Sequence, residues 1–185
     1  SFHADGSAVL YPMQAANRRL ERRADVLEQL RADFALGEVV DLSGSEAEGR
    51  FLEGTGSLVL DRANRVAYAC RSPRTDEGLL TAWAARFGYE AIAFDALGLG
   101  GTPLYHTNVF MCVGPGFAAL APAALPNWME RARVIGKLEQ TGHEIVTLTE
   151  EQLAAFAGNM LALQGRDGTV LALSAAAHDS LRPDQ

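Results

Sequence analysis

Short apolar runs punctuate this chain at strand-like lengths, and longer segments between them repeat their apolar residues at helical spacing. Ser7 to Pro12 and Glu38 to Leu42 read as strands. They flank an amphipathic segment, Ala15 to Phe34, whose Leu20, Ala24, Leu27, Leu30 and Phe34 fall on one helical face. Leu58 to Asp61 and Val66 to Cys70 flank the turn-like connection Arg62-Ala-Asn-Arg65, which predicts a β-hairpin. Thr75 is expected to cap a helix with Asp76 and Glu77 in its first turn. Leu79, Leu80, Trp83, Ala84 and Phe87 form the buried stripe of that helix, Gly88 ends it, and Tyr89 to Phe94 is a further strand. The order strand, strand, helix, strand then returns in Val109 to Val113, Phe117 to Leu120, a helix from Asn127 to about Thr141, and Glu144 to Leu148. A last copy begins with Met160 to Leu163, a turn at Arg166-Asp-Gly168, Val170 to Leu173 and a helix from Ala175.

The copies carry a common signature. Ser7, Ser57, Asn108 and Asn159 each follow Gly or Thr and precede an apolar run, at spacings of 50, 51 and 51 residues. Such regularity indicates an internal repeat of about 51 residues, and ββαβ units set around an axis make an α/β propeller. Residues 1–185 hold about 3.6 such units, so the chain is expected to be one partial domain, a segment of a longer ring. An open ring exposes strand edges and apolar faces, and self-association through them is expected.

Charge and composition narrow the partners. A net charge of −7 and a pI near 5.1 argue against nucleic acid, because binding phosphate needs clustered Lys and Arg. Arg18, Arg19, Arg22, Arg23 and Arg31 oppose the apolar face of the first helix and read as a solvated face rather than a basic patch. The longest apolar stretch, Phe117 to Leu125, is too short to span a bilayer, so no membrane partner is expected. Two cysteines and no signal-peptide pattern suit a reducing cytoplasm. Gly98-Leu-Gly-Gly101 lacks the spacing of a phosphate-binding loop and reads as a connection between units. His3, His143 and His178 fall outside metal-ligand spacing, and neither metal nor cofactor is expected.

The repeat itself locates candidate chemistry. Glu53 stands shortly before Ser57, and His106 shortly before Asn108, so both belong at strand entries on one rim. A carboxylate beside an imidazole fixes its tautomer and stabilises the imidazolium, as an acid–base histidine requires. Ser72-Pro-Arg-Thr75 returns to the same rim after the hairpin, where the Arg74 guanidinium can grip a substrate carboxylate. No nucleophile accompanies them. Six residues of strand would set Cys112 about 20 Å from His106, and Cys70 lies in a regular apolar alternation.

Phe51-Leu-Glu-Gly-Thr-Gly-Ser57, Ala69-Cys-Arg-Ser-Pro-Arg-Thr75, Tyr105-His-Thr-Asn-Val109 and Phe156-Ala-Gly-Asn-Met160, in this order, resemble the guanidino-group-modifying enzymes, the penteins. The resemblance covers essentially the whole chain and is nearest to the branch labelled amidinotransferase or citrulline-utilisation hydrolase. It implies a ring of five ββαβ units and a C–N hydrolase or amidinotransferase acting on a small guanidino or ureido compound. Glu53 would orient the catalytic His106, and Arg74 would bind substrate carboxylate. Asn108 matches a substrate-binding position where the deiminases carry Asp, which puts arginine itself in doubt as the substrate. The family nucleophile is a Cys in a Gly-rich motif of the fifth unit, which would lie beyond Gln185. The alternative is a non-catalytic pentein-fold protein that binds a ligand or partner.

Overall fold

The computed structural model describes residues 1–185. Its element order is β1 (Ala8–Leu10), α1 (Ala24–Asp33), β2 (Val39–Asp41), β3 (Val59–Asp61), β4 (Val66–Cys70), α2 (Glu77–Phe87), β5 (Glu90–Phe94), β6 (Met111–Gly114), β7 (Phe117–Leu120), α3 (Trp128–Gln140), β8 (Glu144–Thr147), α4 (Glu150–Ala154), β9 (Leu161–Gln164), β10 (Thr169–Ala172) and α5 (Ala175–Ser180). Two three-stranded sheets form the middle, ordered β3-β4-β5 and β6-β7-β8. In each, the first two strands are an antiparallel hairpin, and the third joins the second in parallel after the helix crosses over. Two-stranded sheets, β1-β2 and β9-β10, flank them. This is an α/β fold of ββαβ units, and no sheet closes into a barrel. No helix is long and apolar enough to cross a membrane.

The first unit departs from the expected frame. β1 pairs in parallel with β2 across α1, which is the role of β4 and β7 rather than of β3 and β6. Ser7 therefore precedes a second strand, whereas Ser57 and Asn108 precede hairpin-opening ones, and its spacing to Ser57 does not mark equivalent positions. Residues 1–3 take the opening role, with the Ser1 amine donating to Val9 O and Phe2 bridging Ala8 in antiparallel sense around a turn at Gly6.

The expected helix from Ala15 to Phe34 is broken in two. A 3₁₀ segment over Ala16–Glu21 precedes α1, and the intervening Arg22 donates to Tyr11 O at 3.0 Å and to Glu46 at 2.5 Å. Arg19 joins the same carboxylate at 3.1 Å. Part of the predicted solvated arginine face is thus spent on tying the first unit together. The apolar face stays open, with Leu20 79% and Phe34 67% exposed. The second helix begins one residue later than expected, because Asp76, not Thr75, accepts the capping bond from Leu79 N–H. Ser43–Glu48, between β2 and the Glu53 turn, is a 3₁₀ segment. Gly98–Gly101 remains a connection.

Two apolar cores fill the molecule, and β4 divides them. Val66, Tyr68 and Cys70 point into a 23-residue cluster shared with β5, the third unit and the start of the fourth. Ala67 and Ala69, on the other face of the strand, join Val9, Tyr11, Leu52, Leu80 and Trp83 in a separate nine-residue cluster beneath the first unit. The alternation of β4 is the cause: a fully buried strand serves a different core with each face.

Candidate active site

Glu53 sits in a tight turn ahead of β3. Gly54 takes a left-handed conformation at φ +54, which a side chain would disfavour, and Leu58 N–H closes the turn on Gly54 O at 2.8 Å. Ser57 then links two segments. Its Oγ accepts from Glu53 N–H and donates to Arg74 O, both at 2.8 Å. Asp76 N–H donates to Phe51 O nearby, so the residues around Arg74 lie alongside the Glu53 turn. The segment carrying His106 is attached by its neighbours. Thr107 Oγ1 donates to Ser57 O at 2.5 Å and accepts from Cys70 N–H at 2.8 Å, and Asn108 N–H reaches Gly56 O at 3.3 Å.

These attachments bring three side chains together. His106 Nε2 lies 2.7 Å from Glu53 Oε2 across 53 residues of sequence, and Arg74 Nη1 lies 3.4 Å from the same oxygen. The other oxygen, Oε1, accepts from Gln14 N–H at 2.8 Å, so the first unit also holds the carboxylate. The Glu53 side chain is 1% exposed and that of His106 14%. The imidazole lies flat on Gly56, where an added Cβ would come within 2.8 Å of Cε1 and Nε2. Only glycine leaves room for it.

Burial lowers the His106 pKa from its ordinary value; Glu53 opposes that shift, and the positive charges of Arg74 and Arg18 add to it. The neutral ring with Nε2–H directed at Glu53 leaves Nδ1 free to exchange a proton. Tyr105 completes the cluster, its ring 4.8 Å from that of His106 and 4.7 Å from the Arg74 guanidinium.

Other sequence candidates lie elsewhere. Asn108 lines a separate cavity of about 260 Å³ with Thr55, Cys112 and Asn159, and its side chain makes no hydrogen bond to the cluster. The expected strand from Val109 starts only at Met111, because Thr107–Val109 is a 3₁₀ turn. That turn removes the strand geometry on which the separation of Cys112 from His106 was reckoned. Both cysteines are nonetheless buried, neither bonds to His106, and burial pushes each thiol up to about 11. No group of three or more His, Cys, Asp or Glu side chains is placed to hold a metal ion.

The family profile described as N,N dimethylarginine dimethylhydrolase, eukaryotic, matches residues 1–185, the full length of the chain. The chain belongs to that family. The family lies within the guanidino-group-modifying superfamily that the four motifs indicate, and its name is that of a hydrolase. No curated protein sequence matches the chain. Among solved structures, it is similar to apo ArgZ, an arginine dihydrolase of the ornithine–ammonia cycle in cyanobacteria. The TM-score is 0.66 at 16% identity, over 88% of this chain and 24% of that one. The substrate-bound N-terminal domain of ArgZ gives 0.64 at 18% identity, over 84% and 53%. The dimethylarginine dimethylaminohydrolase of Pseudomonas aeruginosa in complex with citrulline gives 0.51 at 15% identity, over 86% and 54%. The chain therefore spans from about a quarter to about half of these proteins, and at such identities the likeness concerns the fold.

Sequence reasoning missed the groups that assemble the cluster. Ser57 and Thr107 are hydroxyls inside apolar surroundings, and the hydroxyl of each bonds to two partners. Ser57 was visible as a repeat anchor, but its bonds to two separate segments were not. Gln14 acts through its backbone, which no side-chain pattern reveals.

Proposed function

We propose that this chain carries the acid–base half of a guanidino-compound C–N hydrolase, with its units arranged as consecutive blades of a propeller. The observation that carries the reading is the buried Glu53–His106 pair at 2.7 Å, assembled from two different ββαβ units. Arg74 beside it supplies a positive charge for a substrate carboxylate. Membership of a hydrolase family favours water over a second amine as the final acceptor.

The reaction divides into two halves. The thiol gives its proton to Nδ1 of the neutral His106, the thiolate so formed attacks the central guanidino or ureido carbon, and the departing amine leaves with that proton. The neutral imidazole then takes a proton from water, and the resulting hydroxide adds to the thiouronium carbon. Collapse expels the thiolate and leaves the carbonyl product. Glu53 keeps the ring oriented. Cys70 and Cys112 are buried with raised pKa values, so the reading takes the thiol from outside residues 1–185.

The same burial favours a second reading, a protein that binds guanidino compounds without cleaving them. Assays of the full-length protein against guanidino and ureido amino acids separate the two. Turnover that falls at least about 100-fold in His106→Ala, with the fold intact, supports hydrolysis. Binding without turnover by the wild type rejects it.

A further inference from the structure

Glu53 Oε2 serves two partners at once. The imidazole contact at 2.7 Å is short, whereas the Arg74 contact at 3.4 Å is long for a charge-assisted hydrogen bond. The Arg74 guanidinium makes no other hydrogen bond. It lies over the ring of Tyr105 at 4.7 Å, within the range of a cation–π contact. Tyr105 is itself fixed at the backbone, where its carbonyl accepts from Ser72 Oγ at 2.8 Å. Its side chain meanwhile stands in solvent, the residue being 46% exposed. One face of the site is thus an aromatic platform beside both Arg74 and His106.

We propose that Tyr105 is a positioning residue, a platform on which Arg74 shifts from Glu53 to the carboxylate of a bound substrate and so leaves Glu53 Oε2 wholly to His106. The inference rests on the guanidino-hydrolase reading and adds how the charge of the substrate reaches the acid–base pair. A single long contact to Glu53 is readily exchanged for two parallel bonds to an incoming carboxylate. The cation–π contact survives a sideways shift of the guanidinium, because the ring offers a face rather than a fixed acceptor.

The consequence falls on His106. The groups facing it are Glu53 from the turn before β3, Arg74 from the loop before α2, Tyr105 from its own segment, and the more distant Arg18 from the first unit. Of the charged ones, Glu53 favours the imidazolium and the two arginines oppose it. Neutralising Arg74 with a substrate carboxylate strengthens the hold of Glu53, and His106 gains proton affinity when it must act as an acid.

The test uses the full-length protein with ¹⁵N-labelled histidine, titrated by NMR with and without L-norvaline, which carries an α-carboxylate but no reactive guanidino group. L-norvalinamide, which lacks the carboxylate, is the control. L-norvaline is expected to move the His106 midpoint upward and L-norvalinamide is not. Tyr105→Phe should keep the shift, while Tyr105→Leu should lose it and weaken L-norvaline binding about fivefold. Far-UV circular dichroism verifies that both variants are folded. An unchanged midpoint with L-norvaline bound, an equal shift with the amide, or a full shift in Tyr105→Leu would overturn the inference. So would failure of L-norvaline to bind. Turnover of a guanidino amino acid is measured separately, so its loss removes the functional reading and its persistence isolates a failure of Tyr105.

Discussion

At the scale of single residues, the site balances an imidazole between burial and a carboxylate. Burial outweighs Glu53 and keeps the folded pKa of His106 below its ordinary value of 6.5. As pH falls, the unfolded chain therefore takes up the proton first, and stability present above pH 6.5 is lost on descent toward the lower folded value. His3, stacked on Phe87 at 4.4 Å, shifts in the same direction, chiefly through burial, and adds to the effect. Thermal midpoints measured at about pH 7.5 and about pH 5.5 should show a loss at the lower value, reduced in His106→Gln. Gly56→Ala tests the geometry without removing any functional group. Its Cβ would meet the His106 ring at 2.8 Å, so the ring must leave Glu53. Turnover should fall about 100-fold, against an overpacking cost of about 1–3 kcal/mol read by denaturant unfolding.

At the scale of elements, Thr107 holds two units together with a single hydroxyl. Thr107→Val keeps the shape but leaves Cys70 N–H and Ser57 O without their partner in a fully buried position. Stability should drop by about 1–3 kcal/mol in urea melts, with a larger effect on turnover than a distant core substitution of equal cost. The two ββαβ units around it were legible in sequence, since β4, α2 and β5 carry clean alternation, a helical apolar stripe and a terminating Gly88 at φ +69. The neighbourhood of Glu53 and His106 followed from their offsets within the repeat. The first unit misled because a Gly-Ser-apolar signature precedes either strand of a hairpin equally well, and only pairing tells them apart. The long first helix misled because its arginines prefer Glu46 and Tyr11 O to continued helical turns.

At the scale of the whole molecule, apolar surface remains at both flanks. Leu161, Leu163 and Val170 on the β9–β10 hairpin are 59%, 48% and 56% exposed, while Leu20, Val26 and Phe34 are open around α1. Sedimentation of residues 1–185 should show association that rises with concentration. Leu163→Lys with Val170→Lys should weaken it, and a monomer indifferent to concentration would speak against it. The division of the core by β4 bears on how such a protein fails when heated. The smaller cluster lies beneath the first unit, which supplies the Gln14 N–H that steadies Glu53. The larger cluster lies on the other face of the strand and does not depend on that unit. Melting of the smaller cluster alone would release the carboxylate while most of the chain kept its native heat capacity. Catalysis should therefore be lost several degrees before the main calorimetric transition, and it should return on cooling as long as that transition has not been crossed.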